Sequence, residues 1–208
     1  MKSNEKHPGE KELAMYQAVL ELIEEDMDLH SIKVSDITGR AGIGKGTAYE
    51  YFSSKEEMVA KALIWFAEQE FEKVHQMLEE KETLRKQIMG ILDFIDTELK
   101  GKRCSEQLLK IQNHSCEIKE DFYQEFSHYN GPEKQVTAVL ERLLETGKRE
   151  GSIRPELPVT LAYMVFMSGF MSYFLYTVTG LEAADAPAEM TKKYLCGNML
   201  LALSNYPE

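Results

Sequence analysis

The sequence predicts an all-α protein with a short N-terminal helical domain, residues 1–55, and a larger helical domain, residues 56–208. Apolar residues recur at the three- and four-residue spacing of helices along most of the chain, and the alternating pattern of strands is scarce. There are only six prolines. A chain of 208 residues is long enough for a small domain and a larger one with its own core.

The first predicted helix covers about residues 9–28 and is the scaffold of the N-terminal domain. Its apolar residues form one stripe, which is the face that such a helix buries. The stripe consists of Leu13, Tyr16, Leu20, Ile23 and Met27.

Residues 34–58 follow as two short helices joined by a tight turn. Val34, Ile37 and Ala41 share one face of the first, and residues 41–44 (AGIG) interrupt the pattern with two glycines. Ala48 and Phe52 point inward from the second helix, and its other side chains are predicted to face outward. The pattern is that of a helix-turn-helix whose second helix offers polar and aromatic side chains to phosphates and base edges.

The segment ITGRAGIGKGTAYEYFSSK at residues 37–55 resembles the DNA-binding region of the TetR family of bacterial regulators. About a dozen positions agree with the family pattern in residue type and spacing. Thr38 replaces the usual Ala, Gly39 lies inside a helix, and Gly44 stands where Ser usually caps the recognition helix. The sequence does not decide whether Ser31 or Ser35 caps the preceding helix.

A phosphate-binding loop is the alternative interpretation of the same residues. Gly39, Gly44 and Lys45 have the spacing of such a loop, but Gly46 stands where a Ser or Thr would hold Mg²⁺. No apolar strand leads into it, so a nucleotide hydrolase is the weaker interpretation.

The net charge of −11 argues at first against a nucleic-acid partner. However, residues 31–55 carry four basic side chains against Asp36 and Glu50. The acidic excess lies elsewhere, notably in residues 24–28 (EEDMD) and at Glu79 and Glu80. We interpret these acidic runs as solvated charge.

No catalytic, metal or cofactor site is predicted. The five histidines are scattered, and the three cysteines are widely spaced without a CxxC pair. The N-terminus is charged and lacks the apolar core of a signal peptide. These features predict a non-enzymatic protein in the reducing cytoplasm.

The C-terminal part continues as helices over about 54–79, 82–100, 104–114, 117–129, 132–149 and 187–204. Ser53 with Glu56, and Ser54 with Glu57, both have capping-box spacing at the first of these. Residues 159–181 contain no charge and are long enough to cross a membrane. Their Ser, Thr, Tyr and Gly content and the absence of flanking basic clusters favour a buried helix of a soluble protein.

The C-terminal domain is rich in Met and aromatic residues, which suit a pocket for a largely apolar molecule, although packing in the core or at a dimer interface is the more common role of any one of them. The resemblance implies an effector pocket between these helices and a dimer interface on the last two. The residues predicted for the pocket are Trp65, Phe94, His114, Tyr123, Phe126, Tyr163, Met167 and Phe170. Those predicted for the dimer interface are Ser168, Ser172, Tyr173, Tyr194, Leu195 and Met199.

The sequence therefore predicts a homodimeric repressor that a small, largely apolar effector releases from a palindromic double-stranded DNA operator. Ligand would tilt the helix over residues 54–79 and change the spacing of the two recognition helices. The residues predicted to contact DNA are Ser35, Lys45, Gly46, Thr47, Tyr49, Glu50, Tyr51 and Lys55. Co-repression or activation by the ligand, an enzyme using the aromatic pocket, and an adaptor that has lost DNA recognition are the alternatives.

Overall fold

A computed structural model describes residues 8–112, Gln124, 131–178 and 186–204. In these residues the structure contains helices and no strand, which confirms the predicted fold class. The helices are α1 (Glu10–Glu24), α2 (Val34–Ala41), α3 (Lys45–Tyr51), α4 (Lys55–Glu79), α5 (Leu84–Phe94), α6 (Arg103–Gln112), α7 (Gly131–Glu150), α8 (Val159–Val178) and α9 (Ala188–Ser204). The helix predicted over 117–129 lies outside the described residues, apart from Gln124, which is helical.

The chain divides into two compact units. The first contains Met1–Gln69 and Lys102–Pro132, and the second contains Glu70–Gly101 and Glu133–Glu208. The first unit therefore includes α6 and most of α4 in addition to α1–α3. The boundaries of these packing units differ from the predicted boundary at residue 55. That boundary separates the predicted DNA-binding region from the predicted effector-binding and dimerisation region, and this division of roles stays a prediction.

The first unit is built around α1. Met15, Val19 and Ile23 of this helix are almost completely buried, and Ile37 from α2 and Phe52 after α3 pack into the same core. The Tyr16 ring lies 5.9 Å from that of Phe52. Burying large apolar side chains of this kind is what stabilises such a small helical unit. The predicted stripe on α1 is confirmed at Tyr16 and Ile23, and its other members are partly buried.

α1 ends earlier than predicted, at Glu24 rather than near residue 28. Asp26 adopts a left-handed backbone conformation with φ 68°, which a helix interior does not permit. The chain then turns toward α2. The cap of α2 is neither Ser31 nor Ser35: Lys33 is the N-cap residue, and the Asp36 carboxylate accepts a hydrogen bond from its backbone N–H at 3.0 Å.

The second unit packs α5, α7, α8 and α9 around Leu143, Phe166 and Tyr173, which are fully buried. Gly169 of α8 lies directly under the Met199 side chain of α9, and a Cβ atom there would overlap it. The small residue therefore allows the last two helices to approach closely.

The helix predicted over 82–100 consists of two parts. After α5, residues Ile95–Leu99 form one π-helical turn, and Gly101, with φ 76°, ends it as the sequence suggested. Lys192 of α9 is buried beside this turn, with its Nζ 2.6 Å from Asp93 Oδ1 and 3.5 Å from Asp96 Oδ2.

Candidate DNA-binding surface and ligand-binding unit

The turn between α2 and α3 is set by a single glycine. Gly42 has φ 66° and ψ 29°, a left-handed conformation in which a side chain is strained. The N–H of Ile43 donates to the carbonyl of Thr38 at 2.9 Å and closes the turn. Thr38 is itself buried, and its hydroxyl donates a hydrogen bond to the Val34 carbonyl at 2.9 Å. A Thr in place of the usual Ala therefore fits the core.

The inward face of α3 is fixed by two buried residues, as predicted. Ala48 is fully buried, and Phe52, at the C-cap, is 2% exposed. Because these contacts hold one side of a seven-residue helix, its other side faces solvent. Tyr49 is 51% exposed and Tyr51 is 37% exposed, unusually high values for such large side chains.

The structure brings the predicted DNA-contacting residues to one recognition unit formed by α2, α3 and the start of α4. Ser35, Lys45, Gly46 and Glu50 are exposed, and Thr47 is partly exposed. Gly44 caps α3 without a side-chain hydrogen bond, as its residue type implies. The surface thus combines a cation, hydroxyls and two aromatic rings, which suit phosphate and base-edge contacts.

Lys55 has a structural contact that the sequence did not reveal. Its Nζ donates to the backbone carbonyls of Leu29 at 3.2 Å and His30 at 3.3 Å. These bonds hold the loop before α2 against the start of α4. Any phosphate contact by Lys55 would have to share its ammonium group with these carbonyls.

Arg40 is one of the four basic side chains of residues 31–55, but it faces α1 and not the outward surface of α3. Its guanidinium makes a bidentate pair with Glu25, at 2.8 and 2.7 Å, and its hydrogen bonds lower the pKa of that carboxyl. Lys33, at the N-cap of α2, and Lys45 are exposed, while Arg40, although also on the surface, is engaged by Glu25. The basic surface is therefore smaller than the sequence suggested.

A model of the family of tetR bacterial regulatory proteins matches residues 20–62 of this chain. The matched segment runs from the end of α1 through α2 and α3 into α4, and so covers the whole recognition unit. Residues 20–62 therefore carry the DNA-binding region of the TetR family, as the resemblance implied. TetR-family proteins are DNA-binding transcriptional regulators rather than enzymes, in agreement with the predicted lack of a catalytic site.

The comparisons extend beyond this segment. The chain is 26% identical over 138 residues to the HTH-type transcriptional repressor KstR2 of Mycolicibacterium smegmatis, a match that covers 66% of this chain and 65% of that protein. The chain thus spans just under two thirds of the length of the curated relative. It has the fold of the transcriptional regulator FadR from Bacillus subtilis, solved in complex with stearoyl-CoA, with a TM-score of 0.66, 20% identity and coverage of 94% of this chain and 99% of that one. FadR from Bacillus halodurans is similar, with a TM-score of 0.68, 19% identity and coverage of 94% and 97%.

Within this TetR-family fold, the residues predicted for an effector pocket are not all together. Trp65 packs in the core of the first unit, with its ring 6.2 Å from Tyr16. Phe94, Tyr163, Met167 and Phe170 are half-buried around the core of the second unit. The predicted residues His114, Tyr123 and Phe126 lie outside the described residues.

A groove of about 260 Å³ lies in the second unit between the end of α4 and α7. Its lining is mostly charged and includes His75, Glu79, Glu141, Arg142 and Glu145. Partial burial and the two α7 carboxylates raise the pKa of Tyr163 nearby. Of the predicted effector-pocket residues that the structure describes, none lines this groove, and its charges do not suit a largely apolar ligand.

The predicted dimer residues fall into two groups. Tyr173 and Met199 are buried inside their own unit, so they support α8 and α9 from within and cannot form the contact surface of a partner. Ser168, Ser172 and Tyr194 are exposed, with Tyr194 at 69%, and Leu195 is partly buried.

Several large exposed apolar side chains on α8 and α9 were not predicted at the dimer interface. They are Leu161, Met164, Leu175 and Leu201, of which Met164 is 62% exposed, and Met190 on α9 is exposed as well. On α8 they share one face with Ser168 because they recur at three-, four- and seven-residue spacing, a signal that could have identified them. The apolar surface of these two helices is called the α8–α9 face below.

α8 is not buried on all sides, contrary to expectation: 22% of its most apolar window is buried. By length and composition it could cross a membrane, with a mean hydropathy of 1.4. A single helix of this kind is weak evidence for a membrane span. Among the described residues, no cluster of side chains could hold a metal ion.

Proposed function

We propose that the chain is a homodimeric, cytoplasmic repressor that a small ligand releases from a palindromic operator. The observation that carries the proposal is the pairing of a rigid inward face on α3, Ala48 and Phe52, with an outward face of exposed polar and aromatic residues. Its coincidence with the segment matched by the TetR-family model supports DNA recognition.

In this proposal α3 enters a major groove, and its side chains divide into two roles. Lys45, Tyr49 and Tyr51 contact phosphates, which provides affinity without sequence information. Thr47 is the best candidate for reading a base edge or a thymine methyl group. Ser35 and Glu50 are weaker candidates, and Lys55 contributes only if it shares its carbonyl-bound ammonium group.

The proposed dimer uses the α8–α9 face. Leu161, Met164 and Leu175 on α8 and Met190 and Leu201 on α9 are large apolar side chains exposed in the single chain, and exposed apolar surface of this kind marks interaction sites. Ser168 and Ser172 lie among them and let a second copy of α8 approach closely. Two copies of both helices would form a four-helix contact, and the twofold axis would match a palindrome.

The proposed effector is a small, largely apolar molecule bound in the second unit. Half-buried Phe94, Tyr163, Met167 and Phe170 offer adaptable apolar area for it. The stearoyl-CoA in the similar FadR structure makes acyl compounds the first class to test. A hundredfold release from DNA requires about 2.7 kcal/mol of coupling between the two sites.

The function is tested by selecting binding sequences from random duplex DNA with the purified full-length protein at fixed salt. Enrichment of a palindrome is expected. The double variant Lys45→Ala/Tyr49→Ala should lose most of this binding, while Lys86→Ala, which removes an exposed cation from the second unit, should retain it. Undiminished binding by the double variant would show that α3 is not the recognition helix. If no sequence is enriched, either with or without acyl-CoA, the alternative of a protein-binding adaptor that has lost DNA recognition is favoured.

A further inference from the structure

The acidic run at the end of α1 is exposed, as the sequence suggested, but it is more than a solvated face. Its four carboxylates, Glu24, Glu25, Asp26 and Asp28, each have a specific contact in the first unit. We call residues 24–28 the acidic turn. Its contacts connect α1 to α2, the next helix along the chain, and to α6, which begins about 80 residues later.

Glu24 caps α6. One of its carboxylate oxygens accepts the backbone N–H of Arg103 at 3.0 Å, and the other accepts that of Cys104 at 3.1 Å. These are two of the N–H groups that the first turn of a helix leaves without an intrahelical acceptor. The Arg103 side chain returns to the acidic turn and lies 3.2 Å from Asp26 Oδ1. The end of α1 and the start of α6, about 80 residues later, are therefore fixed to each other.

Glu25 makes the corresponding connection to α2. Its carboxylate forms the bidentate pair with Arg40, in the last turn of that helix. Asp28 then fixes the rest of the turn by accepting the His30 N–H at 2.7 Å, and Lys55 holds the Leu29 and His30 carbonyls. Glu24 and Glu25 are adjacent, so no flexible residue separates the contact to α6 from the contact to α2.

We propose that the acidic turn positions the recognition helix by joining α6 to α2, with Glu24 and Glu25 as the positioning residues. This inference rests on the proposed DNA-binding function. α2 and α3 are connected by the short turn at Gly42, so a change in the position of α2 moves α3 with it. α6 is then a fourth structural component of the DNA-reading unit, although it follows the segment Glu70–Gly101 of the second unit in sequence.

The test compares Glu24→Ala with Glu10→Ala in the full-length protein. Both variants remove one negative charge from α1, Glu10 being at the opposite end of the helix. Charge removal alone would strengthen binding to DNA. We expect Glu24→Ala to weaken binding to the selected operator duplex about fivefold, the effect of losing a helix cap, and Glu10→Ala to preserve it. Glu24→Gln, which keeps an acceptor oxygen, should be intermediate.

Amide hydrogen exchange supplies a readout that does not depend on DNA. If the acidic turn joins the helices, Glu24→Ala accelerates exchange in α2 as well as at Arg103 and Cys104, and Arg40→Met reduces the further effect of Glu24→Ala. Faster exchange confined to the start of α6, with operator affinity equal to that of Glu10→Ala, would show that Glu24 merely caps α6 and would overturn the proposal. If the wild-type protein selects no DNA, the proposed function fails, and the exchange in α2 still decides whether the joint exists.

Discussion

Two glycines of the recognition unit, Gly39 in α2 and Gly46 in α3, allow a matched test of which surface meets DNA. Both lie in helices, neither has a positive φ, and an ideal Cβ atom at either position has nothing within 4 Å. Alanine therefore fits both sites without strain in the free protein. The two positions differ in their predicted contact with DNA, which only Gly46 is expected to make.

The stability effect of the two substitutions follows from backbone entropy and helix propensity. Each Gly→Ala change should stabilise the protein by about 0.4–1 kcal/mol. For a chain of this size the melting temperature should rise by about 1–4 °C, because 1 kcal/mol corresponds to roughly 2–4 °C. Gly46 lies in the first turn of α3, where propensity matters less, so its gain should fall at the lower end of that range.

The effect on DNA binding should separate the two variants. A methyl group at position 46 extends the outward surface of α3 toward the sugar-phosphate backbone, and we expect at least a tenfold loss of operator affinity, about 1.4 kcal/mol. Gly39→Ala should leave the affinity unchanged. Fluorescence anisotropy with the selected duplex at fixed salt measures this difference, and thermal unfolding measures the stability. Equal affinities for both variants would refute the placement of Gly46 at the DNA, while a loss of stability at either site would refute the structural reasoning.

Three further predictions concern stability and assembly. Burial opposes ionisation of Glu57, but hydrogen bonds from Lys61 and Ser53 lower its pKa to about 2, so the stability that the ionised carboxylate contributes is complete above the unfolded pKa of about 4.5 and disappears as the pH falls toward 2. In urea denaturation, the Glu57→Gln variant should therefore lose less stability than the wild type between these pH values. The same loss of stability in both proteins would contradict this. Lys192→Met should destabilise the second unit by about 1 kcal/mol, because Asp93 loses the ammonium group 2.6 Å away, while Asp96 keeps Lys100 at 3.8 Å and Asp93 stays half-exposed to water. An unchanged urea midpoint would show that the Lys192 ion pair contributes nothing. Met164→Glu should convert the proposed dimer to monomer in light scattering, since it places a charge on the exposed apolar face of α8, whereas Lys86→Glu on α5 should not. A dimeric Met164→Glu protein would place the interface elsewhere.

Local patterns predicted the helices well because helical spacing and glycine are signals within a few residues. The inward positions of Ile37, Ala48 and Phe52 and the turn at Gly42 belong to this class. The predicted capping box at α4 is also present in altered form: the Ser54 hydroxyl accepts the Glu57 N–H at 2.9 Å, while the Glu57 carboxylate accepts the N–H of Ser53 rather than that of Ser54.

Contacts between distant segments were not predictable from such patterns. The pairing of Glu24 with α6, of Arg40 with Glu25 and of Lys55 with two carbonyls depends on tertiary packing that no local spacing encodes. For the same reason the burial of Tyr173 and Met199 was not distinguished from exposure at an interface, since both surfaces select the same apolar residue types. The place of Trp65 in the first core likewise followed from the path of α4.

The central claim, that α3 reads a specific operator, is tested most directly by measuring the affinity of the wild-type protein and of Thr47→Ala for the selected palindrome and for variants with single base changes. If Thr47 reads a base edge, its loss should weaken binding to the selected sequence and reduce the discrimination at one symmetric pair of positions, while the other positions keep theirs. Unchanged discrimination at every position, together with unchanged affinity, would contradict the assignment of α3 as the recognition helix.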